Sequence, residues 1–117
     1  MRRLITFSVV VFLTAVTAAH AQDRGKSKEQ VEFGIKVAQL NLWNEALYRW
    51  QKATELDPTY AAAWNNLAIA YEHDGKFDEA KKAYEKALEL EPKNLIIRKN
   101  YDLFKEINDR TKRRAGK

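Results

Sequence analysis

The chain repeats itself with a period of 34 residues. When residues 27–60 are aligned without gaps to residues 61–94, the same amino acid recurs at eight positions. The identical pairs are Ile35/Ile69, Glu45/Glu79, Ala46/Ala80, Lys52/Lys86, Ala53/Ala87, Glu55/Glu89, Leu56/Leu90 and Pro58/Pro92. A period near 34 indicates one supersecondary unit stacked on a copy of itself, because a single such unit cannot bury its apolar face alone. We therefore expect a solenoid of small stacked units.

Each unit carries the apolar pattern of two helices. In the second unit, apolar residues recur at i, i+3, i+4 and i+7, which is one stripe along a helix, and a facing stripe follows on the next helix. The two stripes are Trp64, Leu67, Ala68 and Tyr71, then Ala80, Tyr84, Ala87 and Leu88. The first unit has Phe33, Gly34 and Val37, then Ala46, Trp50 and Ala53, at the matching positions. The pattern predicts an all-α fold of helical hairpins.

Turn residues separate these helices. Gly75 can adopt the left-handed conformation that ends a helix, and Asn41 takes the same position in the first unit. Pro58 and Pro92 end the second helix of each unit, because proline cannot continue the hydrogen-bond ladder. We expect Asp78 to cap the helix that follows Gly75.

The second unit resembles the tetratricopeptide repeat (TPR) family. The segment AAAWNNLAIAYEHDGKFDEAKKAYEKALELEPKN matches the family's motif at Trp64, Leu67, Ala68, Tyr71, Gly75, Phe77, Ala80, Tyr84, Ala87 and Pro92. The first unit is a weaker match, since Gln30 stands where tryptophan is usual and Val37 where tyrosine is usual. The resemblance implies a right-handed α-solenoid with Trp43, Trp50 and Trp64 in its core. It also implies a groove that holds other proteins, because this scaffold is reused for many partners.

A half-unit follows the second repeat. Three apolar residues can pack on the preceding helix, whereas polar residues occupy the positions that would receive a further helix. The apolar residues are Ile97, Tyr101 and Phe104, and the polar residues are Arg98, Asp102 and Lys105. Because the terminal unit of a solenoid needs a polar outer face, the half-unit is predicted to be a capping helix.

The N-terminus has the pattern of a secretory signal peptide. Arg2 and Arg3 precede an uncharged run, Leu4–Ala19, which ends in the Ala19-His20-Ala21 pattern of a cleavage site. The run of 16 residues is shorter than the ~18 expected of a membrane-spanning helix, and an uncleaved anchor is the alternative. We expect a mature protein that begins at Gln22, has no transmembrane segment and is periplasmic or secreted. The chain has no cysteine, which excludes disulfides and a lipid-modified cysteine.

Together these patterns predict how the chain is divided. The expected segments are a signal peptide at 1–21, a short linker at 22–26, repeats at 27–60 and 61–94, a capping helix at 95–109 and a frayed basic tail at 110–117.

Few residues could support catalysis or bind a metal. Beyond the predicted signal peptide the chain has one serine, Ser27, and one histidine, His73, so no nucleophile with an adjacent base can be assembled. His73 with Asp74 or Asp78 falls short of the about three protein ligands that a transition metal needs. The glycines form no phosphate-binding loop. We therefore expect neither an enzyme, nor a cofactor, nor a metal.

Basic residues crowd the C-terminal end. They are Arg110, Lys112, Arg113, Arg114 and Lys117. Removal of Arg2 and Arg3 would lower the formal net charge from +5 to +3, because 19 basic residues (21 − 2) would then face 16 acidic ones. One hypothesis is that this tail tethers the protein to anionic lipid or polymer of the cell envelope, and the alternative is a solvated charged end. Nucleic acid is not an expected partner of an exported protein.

The TPR resemblance implies that the first helix of each unit lines the groove, where residues 34 apart stack into rows. The rows are Ile35, Ile69 and Leu103; Glu32, Asn66 and Asn100; and Val31, Asn65 and Lys99, with Ile96 and Ile107 extending the apolar row along the cap. An apolar row beside an amide row suits an extended or helical peptide, because the amides can bond its backbone and the apolar row its side chains. The alternative is that the isoleucines are partly buried packing residues.

The resemblance also allows a test for one class of partner. Family members that grip the acidic C-terminal tails of chaperones use lysine and asparagine in the first helix and lysine and arginine in the third. The matching positions here are Val31 and Ile35, then Ile96 and Asn100. The only residue that fits the family's pattern is Asn66, in the second unit. We therefore expect an exported, non-enzymatic adaptor or assembly factor that captures another kind of peptide or helix. Self-association is an alternative, because two and a half units fall short of the ~3 usually needed for stability.

Overall fold

The computed structural model describes residues 23–117, in which five helices follow one another and no strand occurs. The described part of helix α1 is residues 23–39, and the later helices are α2 (Trp43–Leu56), α3 (Ala61–His73), α4 (Phe77–Leu90) and α5 (Leu95–Ala115). The predicted all-α fold of two helical hairpins and a further helix is confirmed for this part of the chain. The predicted signal peptide, residues 1–21, lies outside the described residues. Within 23–117, no helix is both long enough and apolar enough to cross a membrane.

Both hairpins turn through a residue with a left-handed backbone, as predicted. Asn41 has a φ angle of 63° and Gly75 one of 74°. Across the first turn the Leu42 amide donates to the Val37 carbonyl at 2.9 Å, and the second turn repeats this bond at the same length. The bond satisfies a carbonyl that the end of the helix leaves without an intrahelical partner.

The expected cap at Asp78 is wrong. The N-cap of α4 is Lys76, and no side chain caps this helix, because the helix begins directly after the Gly75 turn. Asp78 lies in the first turn, where a carboxylate interacts favourably with the helix dipole. A side-chain cap occurs instead at α5, whose N-cap Asn94 accepts hydrogen bonds from two amides of the first turn at 3.1 and 3.2 Å.

Two apolar clusters form the core. The N-terminal cluster joins α1, α2 and α3, and its buried members are Val31, Val37, Ala46, Trp50, Ala53, Ala63, Leu67 and Ala70. The C-terminal cluster joins α3, α4 and α5, and its buried members are Ala61, Ala68, Ala80, Ala83, Tyr84, Ala87, Leu88, Ile97, Tyr101 and Phe104. Trp64 and Tyr71 pack against both clusters, so α3 links them into one continuous core.

The N-terminal cluster depends on a glycine. A Cβ atom on Gly34 would lie 2.8 Å from two ring carbons of Trp50, closer than side chains pack. The Trp50 indole also donates to the Val31 carbonyl at 3.1 Å, which holds the ring against α1. In the second unit the matching pair is Ala68 and the smaller Tyr84, both fully buried.

The described chain begins as helix rather than as the linker predicted for 22–26, since residues 23–26 belong to α1. The reason is tertiary. Arg24 forms an ion pair with the buried Asp57 carboxylate and donates to the Thr59 hydroxyl at 3.1 Å. One turn later, the buried Ser27 hydroxyl donates to the Ala53 carbonyl at 2.8 Å. These contacts fasten this part of α1 to α2 and the α2–α3 connection.

The capping helix is longer than predicted. α5 continues to Ala115, whereas residue 109 was the expected end and 110–117 the expected frayed tail. Arg110 pairs with Glu106 one turn back, and the Thr111 hydroxyl donates to the Ile107 carbonyl at 3.0 Å. Basic residues in the last turn also interact favourably with the negative end of the helix dipole.

The two sides of α5 differ as a capping helix requires. Ile97, Tyr101 and Phe104 are buried in the C-terminal cluster. The opposite positions that would receive a further helix, Arg98, Asp102 and Lys105, are exposed. Charged side chains there are solvated, so the apolar core ends at this helix.

Candidate partner-binding groove

The predicted groove residues come from α1, α3 and α5, the first helices of successive units. Two of these helices, α3 and α5, are joined by a hydrogen bond from the Asn100 amide to the Asn65 side-chain oxygen at 3.2 Å. The 34-residue repeat therefore brings residues of distant sequence onto one surface, as a stacked solenoid does.

The apolar row is exposed at its two ends and half-buried in its middle. Leu103 keeps 55% of its surface exposed and Ile35 keeps 39%, and Ile96 and Ile107 on α5 are also exposed. Ile69 differs, because it packs against the C-terminal cluster. The packing interpretation thus holds for Ile69, whereas the other four present apolar surface to solvent.

Val31 does not line the groove. Only 4% of its surface is exposed, and it belongs to the N-terminal cluster. The cause is the Trp50 indole, whose hydrogen bond to the Val31 carbonyl draws α2 against this side of α1. Asn65 in the same row is buried as well, so only Lys99 of this row reaches solvent.

The two amides of the row present both donor and acceptor atoms. Asn66 donates to the carbonyl of Ala62 in its own helix at 2.8 Å, and Asn100 donates to Asn65 at 3.2 Å. Within residues 23–117, no group donates to the side-chain oxygen of either Asn66 or Asn100. Both side chains remain partly exposed, so these oxygens can accept hydrogen bonds from a partner.

Charges of both signs lie beside the groove. Glu32 and Lys99 are exposed, and Leu103 lines a shallow cleft together with Arg98, Lys99, Asp102 and Glu106. The acidic side chains offset the basic ones, so this surface has no excess of positive charge for a carboxylate partner.

A cleft at the hairpin turns was missed by the sequence reasoning. The rings of Trp43 and His73 stack with centroids 4.1 Å apart, and the cleft beside them measures about 350 Å³. Trp43 and Trp64 are thus only half-buried, and Trp50 alone of the three lies fully inside the core as expected. The sequence did contain a signal for this cleft: an aromatic residue recurs directly after each hairpin turn, Trp43 in the first unit and Phe77 in the second. Phe77 lines a matching cleft in the second unit. Residues 23–117 contain no group of three side chains able to hold a metal.

Tyr84 and Tyr101 have raised pKa values because they are buried in the C-terminal cluster. Burial raises the pKa of the Tyr84 hydroxyl, and the Glu72 carboxylate that accepts its hydrogen bond at 2.9 Å raises it further. Burial also raises the pKa of Tyr101, together with its hydrogen bond of 3.0 Å to Glu85. Both hydroxyls stay protonated and act as donors that join neighbouring helices.

Comparison with known families agrees with this architecture. The family described as "Tetratricopeptide repeat" matches residues 61–94, and the family described as "TPR repeat" matches residues 38–75. The two matches together cover the hairpin turns, α2, α3 and α4.

Relatives share this segment. The "Tetratricopeptide repeat domain-containing protein PYG7, chloroplastic" of Arabidopsis thaliana is 31% identical over 73 residues, 62% of this chain. The match spans only 24% of that protein, so the chain corresponds to a small part of it. The uncharacterized protein MJ0572 of Methanocaldococcus jannaschii is 32% identical over 56% of this chain, and the match spans 77% of its length.

Solved structures show the same fold. The TPR domain of Arabidopsis OM64 superposes with a TM-score of 0.69 at 23% identity, covering 77% of this chain and 74% of that domain. The second TPR domain of human RPAP3, solved with the HSP70 peptide SGPTIEEVD, has a TM-score of 0.64 at 25% identity, with 68% and 67% covered. With its paired helices, left-handed turns and 34-residue repeat, the chain belongs to the tetratricopeptide repeat family.

Proposed function

We propose that this protein is a non-enzymatic adaptor that captures a peptide or helix of a partner protein in the groove of α1, α3 and α5. The observation that carries the proposal is the exposure of Ile35, Ile96 and Leu103 beside two amides with free acceptor oxygens. Contiguous exposed apolar surface is characteristic of binding sites, and amides can orient a peptide backbone beside it.

The partner segment is apolar and does not end in an acidic tail. The RPAP3 domain, which has a related fold, holds a chaperone peptide that ends in EEVD. In this chain apolar Ile35 and Ile96 stand at two of the positions where chaperone-tail binders have basic or amide groups, and Val31 is buried. The amides of Asn66 and Asn100 each keep one N–H and one oxygen for a partner, which suits a peptide backbone because it both donates and accepts hydrogen bonds.

The working compartment of this adaptor is the periplasm or the cell exterior. Support for export comes from the N-terminal pattern alone, in which the short apolar run of Leu4–Ala19 leads to the Ala19-His20-Ala21 site. Intact-mass measurement of the protein from its native cell tests this part: a species that begins at Gln22 is expected, and a membrane-bound species that retains Met1 contradicts it.

Site-specific photocrosslinking tests the groove. A photoreactive residue in place of Leu103 should capture a partner in the native compartment, whereas the same residue in place of Lys82, exposed on the outer helix α4, should not. Equal capture at both positions, or none at residue 103, would show that the groove is not the binding site.

The affinity for the captured partner provides a second measurement. Replacing Ile35 and Leu103 together with serine should remove roughly 1–2 kcal/mol of apolar contact at each site. The dissociation constant should then rise about a hundredfold. Ile69 is left unchanged because it packs against the core. The matched control replaces Leu40 and Leu42, which are also exposed leucines but lie in the first turn, and it should bind normally.

A further inference from the structure

The N-terminal end of the solenoid presents a surface that the later units bury. In α3 and α5, the helix side turned toward the preceding unit is buried. The members are Ala63, Leu67 and Ala70 in α3 and Ile97, Tyr101 and Phe104 in α5. The matching residues of α1 are Glu29, Phe33 and Lys36, and all three are exposed. No helix within residues 23–117 covers this side of α1.

An arginine organises this surface. The Arg49 guanidinium lies 4.3 Å from the centre of the Phe33 ring and 5.5 Å from that of Tyr48. It also bonds the Glu45 carboxylate at 2.8 Å and the Gln30 side chain at 3.4 Å. The corresponding residue of the second unit is Ala83, which is buried. The N-terminal face is therefore an ordered patch of two aromatic rings and an arginine, in which Phe33 is 44% and Tyr48 51% exposed.

The acidic and basic residues of this face are arranged so that the face can pair with a copy of itself. Glu45 precedes Arg49 by one turn of α2, and Glu29 precedes Lys36 by two turns of α1. A two-fold axis across the helices lays each helix antiparallel to its own copy. Each acidic residue then meets the basic residue of the other chain, as an isologous interface requires. Tyrosine and arginine are also the residue types enriched at the centres of protein interfaces.

We propose that the N-terminal face, formed by Glu29, Phe33, Lys36, Glu45, Tyr48 and Arg49, docks on the same face of a second copy of this chain. The two-fold pairing joins Arg49 of each copy to Glu45 of the other. It leaves the partner-binding groove of each copy open. It also doubles the number of stacked units, whereas one chain alone has two and a half repeats and so falls short of the ~3 usually needed for stability.

Sedimentation equilibrium of the protein, purified in the form its cell holds, tests the proposal. A concentration-dependent dimer is expected. Arg49→Glu places like charges opposite each other at two symmetric sites and should raise the dimer dissociation constant roughly 10- to 100-fold. Glu45→Arg should do the same. An equimolar mixture of the two variants should recover a mixed dimer, because opposite charges then meet at both sites.

Control variants separate this arrangement from others. Arg98→Glu reverses a charge on the exposed side of α5 and should leave the dimer unchanged; weakened association would indicate head-to-tail stacking instead. The groove variant with serine at 35 and 103 should also dimerise normally. A monomer at all concentrations, insensitivity to Arg49→Glu, or failure of the mixture to associate would overturn the proposal. Recovery of the mixed dimer also shows that both variants are folded.

Discussion

Trp50 occupies space that a side chain at residue 34 would need. A Cβ on Gly34 would lie 2.8 Å from Trp50 ring carbons, and the indole is held by its hydrogen bond to the Val31 carbonyl. In the second unit, Ala68 stands in place of Gly34 and is larger by one methyl group. Tyr84 stands in place of Trp50 and has a smaller ring system. The combined volume of the two side chains in each pair is limited, because protein interiors pack densely and leave no room for an added methyl group.

Gly34→Ala should therefore destabilise the fold by about 1–3 kcal/mol, the usual cost of overpacking a core. Chemical denaturation measures the effect. The matched control is Gly25→Ala in the same helix, where a new Cβ meets nothing within 4 Å and should be neutral or stabilising. Combining Gly34→Ala with Trp50→Tyr recreates the pair of the second unit and should recover part of the loss. Full stability of Gly34→Ala alone would contradict the packing.

At the scale of the elements, contacts between helices fasten one element to the next. Near the beginning of the described range, Arg24 of α1 reaches Asp57 and Thr59 in the α2–α3 connection. Burial by itself would raise the pKa of the Asp57 carboxyl, but hydrogen bonds from Thr59 and Arg24 outweigh burial and lower the pKa below its ordinary 3.8. The carboxylate thus fastens α1 to the α2–α3 connection and fixes the geometry of that turn.

This ion pair makes stability depend on pH. Because the folded-state pKa of Asp57 is lower than the unfolded one, its contribution to the free energy of unfolding is present above about pH 4 and is lost as the pH falls below that value. Asp57→Asn should be less stable than the natural protein at neutral pH and should lose less stability on acidification. Thermal melts from about pH 7 to pH 2 measure both effects. Asp109→Asn, which removes an exposed carboxylate inside α5, should melt like the natural protein. Parallel pH profiles for Asp57→Asn and the natural protein would contradict the assignment.

At the scale of the whole molecule, the two clusters behave as one core. Trp64 and Tyr71 of α3 contact both clusters, so neither hairpin can lose its packing independently. The alanines at the centre, Ala80 and Ala87, are fully buried and allow the helices to approach closely. Cooperative unfolding of the described domain follows from this continuity.

Ala87→Asp should unfold the whole domain rather than one hairpin. An unpaired carboxylate in this position has no partner and no space, which costs several kcal/mol, comparable to the total stability of a small domain. Circular dichroism should show loss of helix across the chain. Lys82→Asp, on the exposed side of the same helix, is the control and should retain the fold. A thermal transition of Ala87→Asp within a few degrees of the natural protein would show that the helix faces are wrongly assigned.

The sequence alone was sufficient for the features that depend on local geometry. The helical stripes, the left-handed turns at Asn41 and Gly75, and the polar side of α5 follow from spacing and from the φ preferences of single residues. Of the groove, the exposed residues Ile35, Ile96 and Leu103 were predictable in this way, because they lie opposite the packed stripe of their helices.

Only the tertiary structure decided the features that depend on residues far apart in the chain. Val31 is buried because Trp50 bonds its carbonyl, and Ile69 is half-buried because the C-terminal cluster extends under it. The attachment of α1 to the α2–α3 connection depends on Arg24 meeting Asp57, and the N-terminal face depends on Arg49 meeting Phe33. The partners in the hydrogen bond, the ion pair and the cation–π contact are 16 or more residues apart, so periodicity along one helix carries no information about these contacts.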